Sequence, residues 1–151
     1  MTLDILGRVR GGRADLSDDA WDSVTAEIVL DPTLLDETAT LGLDSFSHIT
    51  VVFHFDRLDP AKVQRGARRP RGNPDWPVTG ILAQRGSPRP NRLGVTTCRL
   101  LKVEGLTLTV QGLDAADGTP VLDIKPHMPD FDPRGEVRQP AWAADLMRGY
   151  W

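Results

Sequence analysis

A chain of 151 residues with a net charge of −3 and a single cysteine is long enough to bury one core of its own, and it excludes a fold stapled by internal disulfides. No apolar run approaches the roughly 20 residues of a membrane-spanning helix, and the N-terminal MTLDILGRVR lacks a signal-peptide core, so a soluble cytoplasmic protein is expected, with no membrane partner. The charge is unevenly placed: residues 57–92 hold nine basic side chains against Asp59 and Asp75, net +7, which leaves −10 for the rest. Such a segment is either a solvated arginine-rich loop or a site for an anionic partner.

In chain order, residues 3–9 (LDILGRV) read as a strand and 10–19 as a loop punctuated by Gly11 and Gly12. Residues 23–30 (SVTAEIVL) alternate as a strand does. Asp31-Pro32 has the form of a helix start, which predicts two to three helical turns over 33–41, ended by Gly42. Residues 46–55 (FSHITVVFHF) make the strongest strand, with Ile49, Val51, Phe53 and Phe55 on one face and His48, Thr50, Val52 and His54 on the other. No Cys or carboxylate cluster completes a metal site around those histidines, and no metal is expected.

Residues 58–77 show no period and read as a long irregular loop whose return Trp76 anchors. Residues 78–83 read as a strand. Residues 94–103 and 106–113 alternate and form a hairpin turning at Glu104-Gly105, with Cys98 and Leu100 on one face and Thr97, Arg99 and Leu101 on the other. Cys98 reads as a core residue, since no local feature lowers its pKa. Residues 121–124 are a further short strand. The ending AWAADLMRGYW reads as a short helix or docked arm, because Trp142, Leu146, Met147 and Trp151 need a surface to cover them. Seven or so short strands imply a mainly β fold: a single small antiparallel or mixed β-barrel with one or two short helices. Residues 1–130 would be the barrel, and 131–151 an arm packed on it or on a dimer partner. No G-x-G-x-x-G is present, which argues against a Rossmann-type site.

Three blocks then carry a resemblance. They are LGLDSFSHI (41–49), RGSPRPNRLG (85–94) and GLDAADGTPVLDIKP (112–126). They resemble the blocks of the TrmO/YaeB family, also called TsaA-like or VirR-like: G-L-x-x-F-S-H, R-S-x-x-R-P-N-P-I-G, and D-x-x-D/H-G-T-P-V-x-D-I-K-P-Y. The resemblance implies a barrel methyltransferase that binds S-adenosylmethionine (SAM), works as a homodimer, and methylates the exocyclic amine of threonylcarbamoyl-adenosine beside the anticodon of tRNA. By motif it assigns Arg85, Val95, Asp114, Ala115, Ala116 and Asp117 to the cofactor, together with Asp56 and Arg57 at the end of the central strand. Arg89, Asn91 and Lys125 fall in signature positions, and with Arg69 and Arg71 are candidates for the substrate. Asp56 and His48 are the candidate bases.

The chain departs from the family in places. Gly11-Gly12-Arg13 stands where longer members have S-P-Y, and residues 16–22 hold no counterpart of their Q-P element. Asp56-Arg57 replaces His-Gln, Arg92 a proline and Gly86 a serine. A short member without the longer members' C-terminal domain is expected. Methyl transfer needs alignment more than a strong base. Carboxylates suit the cofactor's ammonium and ribose hydroxyls, and a guanidinium suits its carboxylate. The plain alternatives are a turn for Asp114 to Asp117, loop solvation for Arg85 and Arg89, backbone fixing for Ser87 and Asn91, and a strand-end ion pair for Asp123 and Lys125. Two other functions stay open: a SAM-binding module without catalysis, and methylation of a small molecule or protein.

Overall fold

The computed structural model describes residues 2–151, and they form a closed barrel of six antiparallel strands. In chain order the strands are β1 (Gly7–Arg10), β2 (Thr25–Leu30), β3 (His48–His54), β4 (Ala67–Arg68), β5 (Thr79–Gly80), β6 (Leu93–Glu104), β7 (Thr107–Gln111) and β8 (Pro120–Pro126). One helix, α1 (Ala141–Met147), follows. The barrel order is β1-β2-β7-β6-β3-β8, closed by β8 on β1, while β4 and β5 make a separate two-stranded ribbon. Every barrel pairing is antiparallel, so the mixed alternative falls away.

Period-two alternation builds the interior. On β3, Ile49, Val51 and Phe53 are buried while His48, Thr50, Val52 and His54 are half-buried on the other face. Val9, Ala26, Ile28, Leu30, Cys98, Leu108, Val110 and Val121 join them from the other five strands. Closure leaves no open sheet edge, the hazard a six-stranded open sheet would carry. The β6–β7 hairpin forms, with Cys98 and Leu100 inward as expected. Its two-residue turn is Gly105-Leu106 rather than Glu104-Gly105, since Glu104 pairs with Thr107 and Gly105 takes the left-handed φ of +55°. A bulge between Leu100 and Lys102 turns Leu101 outward.

Four expectations are corrected. The helix over 33–41 does not form: only a 3-10 turn spans Glu37–Thr40, and Leu41 is exposed. Asp31 caps the Thr33 amide as a helix start does, but Asp36 takes the Thr38 amide, which a helix running from Pro32 would bond to the Leu34 carbonyl, and so starts a short new turn instead. The strand over 78–83 reduces to Thr79–Gly80 followed by a 3-10 turn over Ile81–Ala83, which buries Ile81 and exposes Leu82. The 58–77 stretch is not wholly irregular: Ala67–Arg68 pairs with Thr79–Gly80, and the Gln84 side-chain amide donates to both Arg68 (2.9 Å) and Thr79 (3.1 Å) carbonyls. The first strand starts at Gly7, not residue 3.

Antiparallel closure has a positional consequence. The C-terminal ends of β1, β3 and β7 and the N-terminal ends of β2, β6 and β8 lie at one mouth of the barrel. Loops 11–24, 55–92 and 112–119 therefore open at the same mouth. The opposite mouth carries 31–47, the Gly105-Leu106 turn and the chain leaving β8.

Candidate functional site

The shared mouth gathers most of the residues singled out from the sequence. Asp114, in the β7–β8 loop, is half-buried and held at both oxygens. The Thr96 hydroxyl donates to Oδ1 from inside β6, and the Tyr150 hydroxyl donates to Oδ2 from the C-terminal tail. Thr96 is one of few buried polar side chains, so the Asp114 carboxylate satisfies a group that would otherwise cost free energy. Ala115 and Ala116 behind it are buried.

Asp117 closes the same loop. Its Oδ1 accepts from the Gly11 amide (2.8 Å) and its own amide donates to the Arg13 carbonyl (2.9 Å), which ties the β7–β8 loop to the β1–β2 loop. Arg57 spans both: Nη1 donates to the Ala14 carbonyl (3.0 Å) and Nη2 to the Asp117 carbonyl. Asp117 and Arg57 are thus brought together. Asp56 precedes Arg57 just past the end of β3, exposed, its amide donating to the His54 carbonyl at 2.9 Å. Arg85 and Val95 also meet, through a guanidinium-to-carbonyl bond of 2.6 Å on the outer face of β6.

The arginine loop is pinned in an unusual way. Arg57, Arg69, Arg85, Arg89 and Arg92 all donate to backbone carbonyls, of Ala14 and Asp117, Trp76, Val95, Gln84 and Leu58 respectively. A carbonyl leaves the cation's charge uncompensated. Among the described residues, Arg71 alone in the 57–92 segment is ion-paired, to Asp18 (3.5 Å) and Asp19 (2.8 Å). The mouth of the barrel is therefore electropositive on one side and carries the Asp114 and Asp117 carboxylates beside it.

Other candidates lie elsewhere. Lys125 pairs with Asp123 (2.8 Å) on β8, opposite Thr50. His48 begins β3, six residues and roughly 20 Å of strand from His54, and its Nδ1 meets the Ser47 hydroxyl at 2.8 Å. Asn91 is exposed. Sequence reasoning missed Thr96, Tyr150, Arg13 and the Asp18-Asp19 pair. Thr96 had a signal, a polar residue at an inward position of β6. Tyr150 had only its uniqueness, as the chain's one tyrosine.

Residues 17–133 match the model of the tRNA-methyltransferase O N-terminal domain family (TrmO_N). This chain belongs to that family. A tRNA (adenine(37)-N6)-methyltransferase of Mus musculus is 40% identical over 96 residues, covering 64% of this chain and 22% of the mouse protein. A probable S-adenosyl-L-methionine-binding protein of Methanothermobacter thermautotrophicus is 39% identical over 118 residues, covering 76% of this chain and 78% of that protein. Among solved structures, a crystal structure of TrmO superposes with a TM-score of 0.76 at 27% identity, over 92% of this chain and 62% of that one. The chain thus spans less than a quarter of the mouse relative it matches.

Within this TrmO-family barrel, Thr96, Asp114 and Asp117 all lie inside the matched residues, whereas Tyr150 lies beyond them. Cys98 sits two residues from Thr96 on the same inward face. Burial pushes its thiol up from the ordinary 9.0 to about 12, with the Asp114 charge adding to the effect. At neutral pH the folded chain then holds almost no thiolate, and iodoacetamide is expected to modify Cys98 only after denaturant is added, as intact-mass measurement would read. The linkage has a definite sign. The unfolded thiol loses its proton first, so stability is complete below about pH 9 and erodes as pH rises towards 12.

Proposed function

We propose that the mouth of the barrel binds SAM and that this chain transfers its methyl group to the exocyclic amine of an adenosine in tRNA, threonylcarbamoyl-adenosine beside the anticodon. The observation that carries the reading is Asp114: a half-buried carboxylate held at both oxygens, at a mouth where family-matched loops also bring Asp117 and Arg57 together. The donor set fits the cofactor. The acids suit the cofactor's ammonium and ribose hydroxyls, while Arg57 and Arg85 suit its carboxylate.

SAM supplies an electrophilic methyl group on sulfur. The chain's own residues would hold and align: Asp114 and Asp117 the ammonium or the ribose hydroxyls, Arg57 and Arg85 the carboxylate, so that the acceptor amine can lie in line with the methyl. The amine's proton must leave as the new N–C bond forms, and Asp56, at the end of β3 beside Arg57, is the candidate acceptor. The uncompensated guanidiniums of residues 57–92 supply the attraction for tRNA phosphates. No helix among the described residues is long and apolar enough to cross a membrane, and a cytoplasmic location belongs to the proposal. So does a homodimer, supported by exposed apolar side chains such as Leu82 and Phe131 and read by light scattering on the purified protein.

Calorimetric titration tests the first step. SAM affinity is expected, and no heat at millimolar SAM would overturn the reading. Nucleoside digests of tRNA from cells with and without the gene test the second, with loss of the methylated nucleoside expected. Bound SAM without turnover on tRNA would leave a SAM-binding module in place of a tRNA methyltransferase.

A further inference from the structure

The C-terminal turn lies beyond the family-matched residues, yet it reaches the centre of the site. Past α1 the chain lays Gly149 and Tyr150 against the β1–β2 loop. The Ala20 amide donates to the Gly149 carbonyl and the Trp21 amide to the Tyr150 carbonyl, each at 2.9 Å. Ala20 takes a left-handed φ of +62° where it meets the tail. An alanine there costs about 1–2 kcal/mol, so the docking is supported by the contacts around it. One of those is Arg13, whose guanidinium donates to the Asp19 and Ala20 carbonyls and stacks 4.1 Å from the Trp21 ring. Trp151 packs edge-on against Tyr150, with ring centroids 4.9 Å apart.

We propose that Tyr150 is a positioning residue for the cofactor site. Its hydroxyl and that of Thr96 hold one oxygen each of Asp114, which fixes the plane of the carboxylate. Both donors are neutral, so the carboxylate keeps its charge, and each oxygen keeps a lone pair for an incoming ammonium or ribose hydroxyl. Without the tail, Asp114 is tied at one oxygen only and must be ordered when the ligand arrives, at a cost in affinity. Burial and the Asp114 charge both raise the Tyr150 pKa, which keeps the hydroxyl protonated as a donor. The groups facing this contact are Thr96 and Cys98 from β6, and Asp18 and Arg71 from the two neighbouring loops.

The inference rests on the proposal that Asp114 contacts SAM, and the test separates the two. Wild type, Tyr150→Phe, and a chain ending at Arg148 are titrated with SAM by calorimetry, with thermal melting as a check on folding. The expected result is a Kd raised about two- to tenfold in both variants, as for the ordering of one side chain on binding. The truncation gives the same readout without depending on how a phenyl ring repacks. A double-mutant cycle separates positioning from mere scaffolding: in an Asp114→Asn background, Tyr150→Phe is expected to cost less than it does in wild type. Equal affinity in Tyr150→Phe overturns the inference. So does tighter binding, which would make the tail a competitor of SAM, and so does an undiminished loss in the Asp114→Asn background. If wild type binds no SAM, the proposed function falls, and the role of Tyr150 falls with it.

Discussion

Replacing Asp114 with asparagine is expected to weaken SAM binding about 10- to 100-fold while leaving the barrel folded. The amide keeps the shape of the carboxylate, and its oxygen still accepts from one of the two hydroxyls. What it loses is the charge. A hydrogen bond to a charged group is worth about 1.5–3 kcal/mol, and about 1.4 kcal/mol is a factor of ten in Kd, which gives that range. Asp114→Ala is harsher on stability, because it strands the buried Thr96 hydroxyl at a cost of about 1–3 kcal/mol. The single tyrosine offers an independent check. Burial comes first among the causes that raise its pKa, and the Asp114 charge second. An alkaline absorbance titration of Asp114→Asn should therefore show Tyr150 ionising at lower pH than in wild type, though still above the ordinary value of 10.0. SAM affinity undiminished in Asp114→Asn would remove this residue from the site, whatever the tyrosine did.

The barrel was legible because its strands obey a simple rule. β3 alternates without interruption, β6 and β7 alternate around a glycine turn, and a closed sheet is what such short runs with one-sided apolar faces must reach to hide their edges. Where the reading failed, local side-chain chemistry beat the pattern. Asp31 caps the Thr33 amide as Asp31-Pro32 announced, but Asp36, again two residues before a threonine, takes the Thr38 amide that the helix would need and begins a separate turn. Residues 78–83 looked like a strand, but Gln84 reaches back to Arg68 and Thr79 and turns the chain after two residues.

The site was legible in part. Motif matching named Asp114, Asp117, Arg57, Arg85 and Val95 as candidates, and the structure brings Asp117 to Arg57 and Arg85 to Val95. It could not find the Asp114–Tyr150 contact, which joins residues 36 apart through a tail of no pattern. Nor could it tell that the arginines bond to carbonyls rather than to acids, because that depends on where the loop folds.

A large effect on stability is expected at Gly94. This residue pairs with Phe53 across β3 and β6, and the Phe53 ring lies over the space where a side chain on residue 94 would stand. A methyl group there would sit 2.9 Å from Cδ2 of that ring and closer still to Cε2 and Cζ. The ring has little freedom to yield: Phe53 is 1% exposed and packs edge-on against Phe55, with centroids 5.3 Å apart. Overpacking of this kind costs about 1–3 kcal/mol, and in a domain of this size each kcal/mol lowers Tm by roughly 2–4 °C. Gly94→Ala is therefore expected to melt roughly 2–12 °C below wild type. The displacement also reaches the site, because Val95 holds Arg85 and Thr96 holds Asp114 from the next two positions of the same strand. SAM affinity should fall with stability. The decisive comparison is the pair. Phe53→Leu alone leaves a cavity, but it opens the space that the added methyl group would need, so the double variant should lose less than the two single variants together. Strictly additive losses, read by thermal or denaturant melting, would show that the ring is not what Gly94 makes room for.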